Sequence, residues 1–467
     1  MTTELVHLSA AAAGALLRAR KISPVELIDA FLSHIERVDA KIKSYLLVDA
    51  ERARIRAKAA EAEIVAGRWR GPLHGVPYGA KDTFYTRGLR TCANSRVLMD
   101  LVPHYDAAII EKLDAAGAIL LGKLNTWEYG TGLGLVYHDA AFAHATNPWK
   151  QDYFTGGSST GSGAAVAAGT AMFALGADTG GSIRAPAAGC GIAGLKPTYG
   201  RLSRHGILPN CWSLDVPGPM TWTVEDCALV LQAIAGHDPR DPACADVPVP
   251  DYMRNLSDGV RGLTIGIVRD VGHSVSIDPA NLAGVDDVAS MLTEVGARLV
   301  PVKLPGPPAA YRQATTLISG SERASAHERD FVEQGHKMGR ELRDSIMAGL
   351  AARAVDYLAA QRRRRELAAE LDAVVAGLDA LLLPCTLHTA PPVSDFDKVK
   401  AFMSDTMTTA FNISGHPALS IRTGFDEQGL PTSAQIVGRY FDEATVLRVG
   451  HSYERARRWH ERRPAAL

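Results

Sequence analysis

Residues Thr155 to Pro197 read TGGSSTGSGAAVAAGTAMFALGADTGGSIRAPAAGCGIAGLKP, and almost every side chain is small. Glycine and alanine let one backbone approach another, or a ligand, far more closely than larger residues allow. Two Gly-Gly-Ser units stand here, Gly156-Gly157-Ser158 and Gly180-Gly181-Ser182. Serines flanked by glycines expose hydroxyls among free backbone N–H groups. Acyl transfer needs both, a nucleophile and donors for the oxyanion it creates.

Rival readings of the stretch differ in strength. A phosphate loop would end in Gly-Lys-Ser/Thr, which is missing. The dinucleotide fingerprint fails because Gly161-Ser162-Gly163-Ala164-Ala165 runs into Val166. Gly157 to Gly161 fits G-x-S-x-G around Ser159, but Gln151-Asp152-Tyr153-Phe154 is a poor strand for a nucleophile elbow. On composition alone, a Gly-rich helix-packing segment remains equally open.

Elements are predicted along the chain. Ser9 to Arg20 reads as a helix, and Ser23-Pro24-Val25-Glu26 as a capping box opening another. A third helix spans about Ala50 to Ala66. Gly75 to Lys81 reads as a strand, Asp106 as the cap of a helix stopped by Gly117, and Ala118 to Leu121 as a strand. Ser162 to Gly169 reads as a helix and Phe173 to Ala177 as a strand, and Thr223 caps a helix ending near Gly236. Leu263 to Val268 and Ala297 to Val302 flank a helix from Pro279 to Gly296. Residues 307–377 are mostly helical, Ala380 to Pro384 is a buried strand, and 411–425 and 433–437 are α/β in character. The alternation predicts an α/β fold, a mixed or parallel sheet covered by helices.

The stretch resembles the amidase signature family, serine hydrolases of C–N bonds. Gly75-Val76-Pro77-Tyr78-Gly79-Ala80-Lys81-Asp82 resembles the family's lysine motif. Leu214-Asp215-Val216-Pro217-Gly218-Pro219-Met220, Thr223-Val224-Glu225-Asp226 and Gln435-Ile436-Val437-Gly438-Arg439 match further blocks. The resemblance covers most of the chain. It implies a single large mixed sheet with helices on both sides, a helical lead-in over 1–70 and one compact catalytic unit over 71–467. It also implies a Ser–cis-Ser–Lys triad, with Ser182 as nucleophile, Ser158 as bridge behind a cis peptide, and Lys81 as base. Backbone N–H groups of Thr179, Gly180, Gly181 and Ser182 would form the oxyanion hole. Lys81 is a base only if neutral, so burial must bring it down from a reference near ~10.4 to about 7 or 8. Asp82, on the opposite face of a strand, would not pair with it. Asp178 and Arg184 are expected to hold the loop in shape.

The family's segment after Asn-x-x-Glu lies beside the scissile bond. Here it supplies Tyr129, Gly130, Thr131, Gly132 and Leu133, with no charged side chain as far as Tyr137. That predicts a small-molecule substrate, an apolar or aryl amide or a carbamate (urethanase-like activity). The alternative is a glutamine-hydrolysing subunit of a tRNA-dependent amidotransferase. A net charge of -1 gives no electrostatic case for nucleic acid or anionic membrane, so neither is expected as a partner. The oligomeric state stays open, a homodimer being one option. No cofactor and no metal are expected. The 15 histidines hold no H-E-x-x-H pair, and the six cysteines are scattered without C-x-x-C spacing. Scattered cysteines and the lack of a signal-peptide pattern predict a cytoplasmic protein.

Overall fold

A computed structural model describes residues 2–132, 139–272 and 276–465. Eleven strands among them form one sheet: β1 (Tyr45–Val48), β2 (Pro77–Lys81), β3 (Ile119–Leu124), β4 (Phe173–Asp178), β5 (Ala193–Lys196), β6 (Val216–Thr221), β7 (Thr264–Ile267), β8 (Arg298–Pro301), β9 (Ala380–Pro384), β10 (Ala418–Phe425) and β11 (Pro431–Val437). Their order is β1-β3-β2-β4-β6-β5-β10-β11-β9-β7-β8. β2 runs parallel to β3 and β4, and β7 to β8 and β9, while the remaining pairs are antiparallel. The expected mixed sheet is therefore present.

The apolar run of β9 shows why helices cover both faces. Leu381 and Leu383 pack into one core cluster, while Ala380 and Leu382 pack into another. A strand turns alternate side chains to opposite faces, so only burial on both sides makes Ala-Leu-Leu-Leu stable there.

The lead-in folds largely as its caps dictate. Ser23 accepts a hydrogen bond from Glu26 N at 3.0 Å and starts the helix Pro24–Ile42. Thr223 does the same for Val224–Ile234, accepting from Asp226 N. Two local expectations need correction, and one strand lies where the sequence offered no element. Residues 1–70 also contribute β1, which pairs with β3 at the sheet edge. Asp106 does not cap; the helix begins at Ala108, and Asp106 accepts from Arg87 N at 2.7 Å instead. β6 carries Pro217 and Pro219 yet lies inside the sheet. β5 pairs only with Met220 and Thr221, so the prolines sit where that side of β6 carries no ladder bonds.

Candidate active site

Lys81 ends β2 and is 1% exposed. Its Nζ donates to Ser158 Oγ at 2.7 Å and to the Ala177 carbonyl at 3.4 Å. Neighbouring Asp82 points elsewhere, accepting from the Cys92 and Ala93 amides and pairing with Lys123 at 3.3 Å. Burial brings the Lys81 ammonium down to about 7, against the opposing pull of Asp215 and Asp178. A hydroxyl and a carbonyl replace only part of the hydration a buried ammonium loses, so the neutral amine gains.

The Gly157–Ser158 peptide is cis. A Cβ on Gly157 would lie 2.2 Å from the Trp127 ring, so no side chain fits there. The Ser158 carbonyl accepts from Trp127 N and Thr126 Oγ1, both at 3.1 Å, which fixes the segment over Lys81. Ser159 faces inward, fully buried, and starts the helix Thr160–Ala168. Its amide donates to the Ser182 carbonyl at 3.3 Å, tying the two Gly-Gly-Ser units together. Ser182 itself is half-buried. Among the described residues, the Lys81–Ser158 hydrogen bond is present, whereas none joins Ser158 Oγ to Ser182 Oγ.

Asp178 and Arg184 hold the turn between β4 and the helix Arg184–Cys190. Asp178 Oδ1 accepts from Gly181 N at 2.7 Å and Oδ2 from Ile183 N at 3.1 Å. Arg184 meets the same carboxylate at 3.0 Å through both Nε and Nη2, and Nη2 also reaches Asn412 Oδ1 at 2.6 Å. Burial pushes the Asp178 carboxyl up, but the Arg184 charge and hydrogen bonds outweigh it and hold the group at about 2. The Gly181 N–H is thus committed to Asp178. The amides of Thr179, Gly180 and Ser182 donate to no group among the described residues. A Cβ on Gly181, at φ +131°, would meet Thr408 Oγ1 at 2.3 Å.

Removing the guanidinium should be costly. Arg184→Ala leaves a buried carboxylate without its counter-charge, and the expected loss is about 3–5 kcal/mol of folding free energy, read by urea denaturation. A loss under about 1 kcal/mol would show that the turn does not depend on this pair. The pH sign follows from the depressed carboxyl: its contribution is complete above the unfolded value of about 3.9 and is lost as pH falls through about 2.

A cleft of about 470 Å³, open to solvent, leads to Lys81 and Ser158. Tyr129 and Gly130 line it as expected. Tyr129 is held by its hydroxyl, which donates to Asp330 Oδ2 at 2.8 Å, and by an edge-on contact with His327. A Cβ on Gly130 would lie 3.6 Å from Ser158 Oγ, so this backbone roofs the Lys81–Ser158 pair. Thr131 borders a neighbouring cavity beside Trp127, and Gly132 packs on the Trp127 ring. Leu133 lies outside the described residues.

Sequence reasoning missed Arg204, Asn210 and Asp215 as cleft lining. Asp215 stands in a recognised block, but Asn210 has no sequence signal. It is a hub: its amide donates to Asp215 Oδ2 at 2.8 Å, its Nδ2 to Thr179 Oγ1 at 3.1 Å, and its Oδ1 accepts from Arg323 Nε at 2.7 Å. The expected apolar cleft is therefore polar on one wall.

The sequence pattern described as Amidase matches residues 26–447. The chain belongs to the amidase family. It is accordingly an enzyme acting on C–N bonds other than peptide bonds. Solved amidase structures share the fold. The native peptide amidase of Stenotrophomonas maltophilia has a TM-score of 0.87 at 31% identity, covering 98% of each chain. A structure of an s-triazine catabolic enzyme's vestigial complex reaches 0.90 at 31%, covering 96% of this chain and 99% of that one.

Within the family, curated relatives overturn the expected substrate. A glutamyl-tRNA(Gln) amidotransferase subunit of Chloroflexus aggregans is 41% identical across 99% of both chains, and its namesake in Moorella thermoacetica is 39% identical across 99% of both. The reading as a hydrolase of small apolar or aryl amides and carbamates, with a small-molecule substrate and no nucleic acid, does not survive that likeness. The segment after Glu128 misled because, among the described residues, only Tyr129 and Gly130 of it line the cleft; the charged and amide groups come from 204–215, far away in sequence. The net charge misled because it averages a whole surface. No helix among the described residues is long and apolar enough to cross a membrane.

Proposed function

We propose that this chain is the glutamine-hydrolysing subunit of a tRNA-dependent amidotransferase, working in the cytoplasm. The observation that carries the reading is end-to-end identity near 40% with relatives of that name. The polar wall of the cleft supports it, because an amino-acid substrate brings an ammonium and a carboxylate that need polar partners.

In this reading Ser182 Oγ attacks the side-chain amide carbon of glutamine. Its proton passes to Ser158 Oγ as the Ser158 proton moves to neutral Lys81 Nζ, 2.7 Å away. The serine pair closes to hydrogen-bond distance when substrate binds, as catalytic contacts often do. The unpaired amides of Thr179, Gly180 and Ser182 receive the oxyanion, each such donor being worth about 10²–10³ in rate. Gly181 supports the turn through Asp178 instead of donating. The proton returns by the same path to the leaving nitrogen, and the C–N bond breaks to give ammonia and an acyl-enzyme. Water then attacks the ester under the same base, releasing glutamate and restoring Ser182. The ammonia passes to an associated protein that holds the charged tRNA.

Steady-state ammonia release tests this. The purified chain, alone and co-expressed with candidate partner proteins, should hydrolyse glutamine with a kcat/KM well above that for propionamide, and partner assembly should raise it. Equal or better turnover of propionamide in every preparation would reject the assignment.

A further inference from the structure

A second pocket, about 290 Å³ when the space open to solvent is counted, opens between the start of β5, β10 and the C-terminal turn. It lies at the end of the helix Arg184–Cys190 opposite Ser182, and Trp222, Trp459, Arg422, Glu454 and His460 line it. Arg422 is 8% exposed. Its Nη1 donates to the Gly191 carbonyl at 2.7 Å, but its Nε has no partner. Nη2 likewise donates to nothing among the described residues, so the whole Nε–Nη2 edge is unused. His460 Nδ1 is a second buried nitrogen without a partner on the same cavity. Buried polar groups in folded proteins are almost always paired, and two orphans on one cavity point to an absent occupant.

Charge points the same way. The Trp222 ring carries the Arg422 guanidinium at 4.5 Å and that of Arg463 at 3.6 Å. Arg462 stacks on Phe425 at 3.9 Å, near Arg422. Among the described residues, none of the three guanidinium groups forms an ion pair. Burial lowers Arg422 to about 10 against the pull of Glu454, the Arg462 charge adding to burial, and lowers Arg463 to about 9, with Arg422 adding to burial and Asp226 opposing it. The nearest acids offset only part of this charge. Glu454 accepts from Val224 N, and burial pushes its carboxyl up against the pull of Arg422. Asp226 accepts from Ala11 N; burial raises it to about 6, and its carboxylate opposes Arg463. The His460 imidazole is held down by burial and by Arg422, hence neutral.

We propose that this cavity binds a small carboxylate with a flat apolar body. The carboxylate sits side-on against the Nε–Nη2 edge of Arg422, the bidentate geometry a guanidinium favours. The body lies against Trp222, Trp459, Ile192 and Ile421, and a further polar group reaches Glu454 or His460.

Calorimetric titration of the full chain with sodium benzoate, and separately with inorganic phosphate at matched ionic strength, tests this. Saturable benzoate binding is expected, tighter than phosphate. Arg422→Gln should weaken it roughly tenfold or more, the worth of a charge-assisted pair. Arg463→Met, half-buried and stacked on the Trp222 ring, should weaken it several-fold in a chain whose circular dichroism is unchanged. If Arg422→Gln does not fold, Arg463→Met decides. No saturable benzoate binding, phosphate bound more tightly than benzoate, or binding indifferent to the folded variants would each overturn the proposal.

Discussion

Ser182→Ala should reduce kcat by on the order of 10⁴–10⁶ while leaving the fold intact, the scale seen when a hydrolase loses its nucleophile. Ser182 is half-buried at the mouth of the turn that carries three unpaired amides, the place the proposed mechanism requires of its nucleophile. Ser159 is the informative control. Its hydroxyl is fully buried and only grazes Ala177, at 3.4 Å from both the amide and the carbonyl. Ser159→Ala should therefore keep most activity. A fluorophosphonate should modify the wild-type chain once, with the adduct on a peptide containing Ser182. An adduct on Ser159, or an active Ser182→Ala chain, would move the nucleophile and undo the mechanism.

Lys81 carries the second large effect. Below about 7 its ammonium is protonated and cannot accept the Ser158 proton. The expected kcat/KM rises tenfold per pH unit below that value and levels above it, because only the neutral fraction works. Lys81→Met should cost about 10³–10⁴ or more, the range of acid–base assistance and its coupling to the nucleophile. Lys81→Arg is the sharper variant. It keeps length and charge but stays protonated throughout the accessible range, so it should be equally inactive. A purely structural lysine would tolerate arginine in part. Activity flat from pH 5 to 9, or substantial rescue by arginine, would remove Lys81 from the role of base.

Much of the fold was legible locally. Ser23, Thr223 and the glycine at 169 act through hydrogen bonds and backbone angles within a few residues, so their helices end where the pattern says. β9 was readable because four consecutive apolar residues can be buried only between two helical layers. β1 and β6 were not readable. Tyr45–Val48 is too short to show a period, and the prolines of β6 argue against a central strand unless the neighbour's length is known. Asp106 reads as a cap by residue type, but Arg87, distant in sequence, takes its carboxylate.

The site divides along the same line. The small side chains of 155–197 were legible as residue types, but what they make room for is tertiary: Gly157 admits the Trp127 ring and Gly181 admits Thr408. The resemblance, not residue type, pointed to Lys81 as the proposed base. The tertiary structure decided what no local pattern holds. It set the depth of burial that lowers Lys81, the commitment of the Gly181 amide to Asp178, and the polar cleft wall that 204–215 swings against Tyr129. Desolvation and hydrogen-bond competition depend on every group packed nearby, whatever its distance along the chain, and that sum exists only once the chain has folded.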